Sequence, residues 1–122
     1  MSVVIVDDDF INTTLHTALV KRLGYQAISF TDPHEALDWC GSNTPNLLIT
    51  DYMMPGMNGL ELVRQFRNLG NHLDVPIIMV TATSHLLLRT DAISAGVSYL
   101  LSKPLNVMEF MDCVSKILGG RH

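Results

Sequence analysis

Short aliphatic runs alternate with helix-spaced apolar residues from one end of the chain to the other. VVIVD (3–7), AISF (27–30), LLITD (47–51), PIIMVT (76–81) and SYLLS (98–102) are almost wholly apolar, as strands buried on both faces are. Between the first two, Ile11, Leu15, Ala18 and Leu19 recur at i, i+4, i+7 and i+8 and predict a helix that buries these four and ends at Gly24. Asp32-Pro33-x-Glu35 sets a cap, a first-turn proline and a reciprocating glutamate at the start of a second helix. Asn58-x-x-Glu61 opens a third over roughly residues 60–68, and a fourth runs from about His85 to Gly96. Asn106-x-x-Glu109 caps the last, where Val107, Phe110, Met111, Val114, Ile117 and Leu118 keep one apolar face. Five strands and five helices in strict alternation predict a small doubly wound α/β domain, a parallel sheet covered on both faces. Residues 1–119 read as that one domain, and the tail, 120–122, as the start of a linker to an effector domain beyond it.

Composition narrows the class. A chain of 122 residues with 48% apolar and 16% charged residues has enough material for one core and too little charge for a disordered protein. No stretch approaches the roughly 20 apolar residues of a membrane span, and the first residues lack the basic flank of a signal peptide; a cytoplasmic protein without membrane partners is expected. A net charge of −4 gives no basic stripe for direct nucleic-acid binding. Lys21, Arg22, Arg64 and Arg67 read as solvated helix faces, the five histidines as surface residues, and Cys40 and Cys113 as small core residues or free thiols in a reducing compartment.

The polar residues that end strands carry the chemistry. In a doubly wound sheet, ligands bind beyond the carboxyl ends of the strands. The first strand ends in Asp7 and Asp8, the third in Asp51, the fourth in Thr81, and the fifth runs into Lys103 and Pro104. Three crowded carboxylates repel one another unless a cation compensates them, and an oxygen-only set of this kind suits Mg²⁺. With Lys103 as a second positive charge and Thr81 as a hydroxyl donor, the group can hold a metal-bound phosphoryl group against Asp51 as nucleophile or covalent acceptor. Asp9 reads as a helix cap, because it immediately precedes the helical pattern.

IVDDD, ITDYMMPGMNG, MVTAT and LSKPL, in this order and spacing over the whole chain, resemble the receiver domain of bacterial two-component response regulators. The resemblance implies a flavodoxin-like sheet of order 2-1-3-4-5. It also implies phosphorylation of Asp51 by the phosphohistidine of a sensor histidine kinase or phosphotransfer protein. Carried over residue by residue, Asp8, Asp51 and the backbone carbonyl of Met53 look like direct Mg²⁺ ligands, with Asp7 acting through water. Thr81 corresponds to the hydroxyl that binds the phosphoryl oxygen, Lys103 to its ion-pair partner, and Pro104 to a proline preceded by a cis peptide bond. In ITDYMMPGMNG the loop then folds back so that backbone groups can approach metal and phosphate.

One position departs from that pattern. The family's switch aromatic falls on Leu100, while Tyr99 lies one residue earlier, on the opposite face of the strand; output is expected to run through Thr81 and the fourth helix. His85-Leu86-Leu87-Leu88 holds more leucine than one buried stripe uses, which suggests either a homodimer or partner contact through the fourth helix and fifth strand or a fully buried helix start. A haloacid-dehalogenase-type phosphatase would need Asp-x-Asp-x-Thr or Val where this chain has Asp7-Asp8-Asp9-Phe10-Ile11. If the chain continues, an effector that binds DNA or turns over a cyclic dinucleotide is expected, an HD-GYP phosphodiesterase being the first guess; a single-domain regulator or shuttle is the alternative.

Overall fold

The computed structural model describes residues 2–70, 72–82 and 85–119, apart from the side chains of 85–87; the tail and most of the His85–Leu88 leucine cluster lie outside the described residues. Strands β1 (Ser2–Val6), β2 (Gln26–Phe30), β3 (Leu47–Asp51), β4 (Ile77–Thr81) and β5 (Tyr99–Ser102) alternate with helices α1 (Phe10–Arg22), α2 (Pro33–Ser42), α3 (Gly59–Arg67), α4 (His85–Ala95) and α5 (Val107–Gly119). All strands are parallel, in the order β2-β1-β3-β4-β5. Successive strand residues point to opposite faces. Val4, Val6, Leu48, Ile77 and Met79 therefore pack with Ala36, Cys40, Leu62, Val63, Phe66 and Leu88 of α2, α3 and α4, while Val3, Ile5, Ile49, Ile78 and Val80 meet Val20 of α1 and Phe110 and Val114 of α5. Every residue of β3 and β4 is buried, as central parallel strands require. Among the described residues no helix is long and apolar enough to cross a membrane.

Local chemistry sets the helix starts. Asn58 and Glu61 exchange side chain and backbone in a full capping box, Asn106 Oδ1 accepts from the Glu109 amide, and Asp9 caps α1 through the Ile11 amide. Asp32 caps α2 as expected, but its carboxylate accepts from the His34 amide and lies 3.2 Å from that imidazole. Gly24 and Gly96 follow α1 and α4 in left-handed conformation.

Three expectations fail. Most of the apolar stripe of α1 does not face the sheet: Ile11 is 75% exposed and Leu15 40%, Ala18 is also exposed, only Leu19 packs half-buried against the core, and the buried positions are Thr13, His16 and Val20. Polar residues can lie there because their demands are met locally. Thr13 Oγ1 donates to the Phe10 carbonyl at 2.9 Å, and the His16 ring stacks on Phe110 with centroids 5.2 Å apart. His16 and His72 are therefore buried rather than surface histidines; the second ring sits 4.7 Å from that of Phe66, its Nε2 2.7 Å from the Cys40 carbonyl. Arg67 is no solvated charge either. Its guanidinium donates to the carbonyls of His72, Leu73, Val75 and Gly96, fastening the α3–β4 loop to the end of α4. Cys40 and Cys113 are buried and free, and burial pushes the Cys40 thiol up to about 11.

Candidate phosphoacceptor site

Chain order brings the strand-end residues together. β1 and β3 are neighbours, as are β3 and β4, and β4 and β5, with Asp51 opposite Val80 and Thr81 opposite Ser102. The ends of four strands thus converge at one edge of the sheet. Carboxylate oxygens of Asp7, Asp8 and Asp51 all lie within 4.8 Å of one another. Asp7 and Asp51 are buried and Asp8 is exposed, so the pocket has a closed floor and one open wall.

Each acidic side chain has a different environment. Asp7 Oδ1 accepts from the Asp9 amide at 2.9 Å, while its Oδ2 is buried without a hydrogen-bond partner. Burial pushes the Asp7 carboxyl up to about 6; the charge on Asp51 adds to this, and the Asp9 amide and Lys103 oppose it. Asp51 is better provided: Oδ1 accepts from the Tyr52 amide at 2.8 Å, and Oδ2 lies 3.2 Å from Lys103 Nζ. At an effective dielectric of 20, two like charges this close repel by about 3 kcal/mol. One ammonium cannot offset three such pairs. A buried, orphaned carboxylate oxygen facing two further carboxylates is a fit for a hard divalent cation, which takes oxygen ligands.

The fourth and fifth strands bring Thr81 and Lys103 to the same edge of the sheet. Thr81 is fully buried at the end of β4, its carbonyl accepting from the Lys103 amide at 2.9 Å, so the backbone carrying the hydroxyl also seats the lysine. The Lys103–Pro104 bond is cis. In the loop after Asp51, Met54 and Met57 are buried, whereas Met53 is 65% exposed at the mouth of the site. Leu100 packs against the α4 side of the sheet, and Tyr99 is exposed on the other side, lining a groove with Leu101, Glu109, Asp112, Cys113 and Lys116. Sequence reasoning missed the exposed rim made by Phe10 and Ile11 beside the Asp9 cap; helical spacing alone assigns apolar residues to the core.

Comparison with known proteins agrees with this geometry. The family described as "Response regulator receiver domain" matches residues 3–115. The cyclic di-GMP phosphodiesterase response regulator RpfG of Xanthomonas campestris pv. campestris is 37% identical over 99% of this chain, which spans about a third of that protein (32%). Chemotaxis protein CheY4 of Vibrio cholerae superposes with a TM-score of 0.90 at 25% identity, covering 96% of this chain and 98% of that one. The receiver domain of sensor histidine kinase PA1611 from Pseudomonas aeruginosa PAO1 superposes at 0.86 with 25% identity over 98% of both chains, and carries a magnesium ion coordinated in its active-site cleft.

Proposed function

The chain belongs to the response regulator receiver family, phosphoacceptor signalling modules rather than turnover enzymes, and from that premise we propose that Asp51 is the residue that takes the phosphoryl group. The observation that carries this is the Asp7–Asp8–Asp51 cluster with Lys103 on Asp51. The donor is the phosphohistidine of a sensor histidine kinase or phosphotransfer protein. An Asp51 carboxylate oxygen forms a bond to phosphorus while the nitrogen–phosphorus bond breaks and the imidazole leaves to recover a proton. The Tyr52 amide holds one carboxylate oxygen and Lys103 the other, so the acceptor is oriented before the donor arrives. Thr81 supplies the hydroxyl that donates a hydrogen bond to an oxygen of the transferred group.

The cofactor is Mg²⁺, as in the PA1611 receiver. Asp8, Asp51 and the Met53 carbonyl would hold it directly, and Asp7 through water. When bound it neutralises carboxylate charge and draws charge from the phosphoryl oxygens. The exposed Phe10, Ile11 and Leu15 support docking of the donor protein beside Asp51. The likeness to RpfG supports an output in cyclic di-GMP turnover through an effector domain in a longer chain.

The test is intact mass after incubation with acetyl phosphate, with and without Mg²⁺, on the wild type and on Asp51→Asn. A Mg²⁺-dependent gain of one phosphoryl group, lost in the variant, is expected. No adduct, or an adduct that survives Asp51→Asn, removes Asp51 as acceptor.

A further inference from the structure

Two glycines follow Asp51, for different physical reasons. Gly56 has a φ of +81° and open space where a β-carbon would stand, so it is needed for its conformation. Gly59, the first residue of α3, lies outside the left-handed region and is needed for space. A β-carbon there would overlap the backbone carbonyl oxygen of Asp51 and stand 3.0 Å from both Tyr52 Cα and Met79 Cε. The methionine tip can move aside. The strand end cannot do so easily, because β3 is paired with β1 on one side and β4 on the other.

That crowded carbonyl belongs to the peptide that orients the acceptor. The Asp51–Tyr52 peptide presents its carbonyl to Thr50 Oγ1, which donates at 2.9 Å. Its N–H donates to Asp51 Oδ1 at 2.8 Å. Gly59 also closes on the next peptide, its N–H donating to the Tyr52 carbonyl at 2.7 Å. A push on the Asp51 carbonyl turns this peptide as a plane and moves the N–H that holds the reactive carboxylate.

We propose that Gly59 is a positioning residue for the phosphoacceptor: its bare Cα seats α3 against the Asp51–Tyr52 peptide and thereby fixes the orientation of the Asp51 carboxylate. The inference rests on Asp51 being the acceptor. Thr50 serves as the opposite jaw of the same clamp.

The test compares Gly59→Ala, Thr50→Val and Gly41→Ala, the last a glycine of α2 where a β-carbon meets nothing within 4 Å. Two quantities are read. The first is hydrogen-exchange protection of the Tyr52 amide relative to the Ile49 amide in Mg²⁺-free protein; the second is the rate and apparent KM of adduct formation from acetyl phosphate with Mg²⁺. For Gly59→Ala, Tyr52 loses protection while Ile49 keeps it, and the saturated rate falls on the order of 10- to 100-fold with little change in KM, as misplacement of a reacting group by about 1 Å does. For Thr50→Val the same amide loosens and the rate falls about fivefold, the loss of one hydrogen bond. Gly41→Ala matches the wild type. A folded Gly59→Ala protein with wild-type Tyr52 protection and rate overturns the proposal, as does a Gly41→Ala protein that changes equally. If Gly59→Ala does not fold, Thr50→Val decides, and an unmoved Tyr52 amide overturns it. A wild type that takes no phosphoryl group defeats Asp51 as acceptor instead, and the metal-free amide comparison still judges the clamp.

Discussion

Helices α1 and α3 both begin at the rim of the acidic pocket, each behind a side-chain cap, Asp9 or Asn58, yet they place their apolar residues in opposite ways. α3 buries Leu60, Leu62, Val63 and Phe66 and turns Arg64 and Gln65 outward. α1 buries Thr13, His16 and Val20 and leaves Phe10, Ile11 and Leu15 to solvent. The first is the arrangement that maximises burial; the second gives up burial on a helix that also borders the reactive site. The difference teaches that α3 holds the sheet while α1 keeps an exposed apolar face, the face proposed above for docking of the phosphoryl donor.

The largest effect tests the structural half. Phe66→Ala should lower stability by about 3–5 kcal/mol, the usual cost of truncating a fully buried aromatic, whereas Ile11→Ala should stay within about 0.5 kcal/mol. Urea midpoints of the two variants check this. Comparable losses would mean that α1 is as structural as α3 and would end the contrast.

Acid should expose the polar underside of α1 next. Burial, assisted by the positive charge of Lys103 and opposed by Asp51, holds His16 down from 6.5 to about 4. The unfolded chain accepts a proton there that the folded protein resists. The contribution of neutral His16 is therefore complete above pH 6.5 and is lost as pH falls from about 6.5 to about 4, by up to about 3 kcal/mol. α3 contains no histidine. His16→Phe should flatten the stability profile across this window, and an unchanged acid slope would place its origin elsewhere.

The same contrast explains what could be read from the chain. Strand ends were legible because chain order and alternation alone determine which residues terminate strands, and parallel pairing then gathers Asp7, Asp51, Thr81 and Lys103 at one edge. The caps at Asp9, Asn58 and Asn106 were legible because they act within three residues. The buried face of α1 was not, since spacing presumes that apolar means inside, and Thr13 and His16 are buried with partners that only the fold supplies. Arg67 reads as a surface charge because its acceptors are backbone carbonyls, up to 29 residues away, and carbonyls leave no mark in a sequence. The need for Gly59 leaves no mark for a similar reason: the atom it must avoid is main chain.

The functional half of the contrast predicts a smaller, selective effect. Ile11→Asp should slow transfer from a phosphohistidine donor protein about tenfold, the cost of spoiling one apolar anchor at an interface, and leave the acetyl phosphate rate within about twofold, since a small donor needs no docking face. Arg64→Asp, on the exposed face of α3, should alter neither by more than that. Equal losses with both donors for Ile11→Asp would mean that the residue acts on the site itself.

The smallest effect comes from the two caps. Asn58→Ala removes the bond that Asn58 Oδ1 accepts from the Glu61 amide and should cost about 1 kcal/mol in any buffer. Asp9→Asn keeps an acceptor for the Ile11 amide while removing a charge next to Asp7 and Asp8, so in Mg²⁺-free buffer it should raise stability by about 0.5 kcal/mol. Adding Mg²⁺ should shrink that gain, because the cation relieves the same repulsion in the wild type. Thermal midpoints of both variants, with and without the metal, separate the cases: the Asn58 loss is indifferent to Mg²⁺ and the Asp9 gain depends on it. A loss for Asp9→Asn that ignores the metal would show that the start of α1 is held as the start of α3 is, by capping alone.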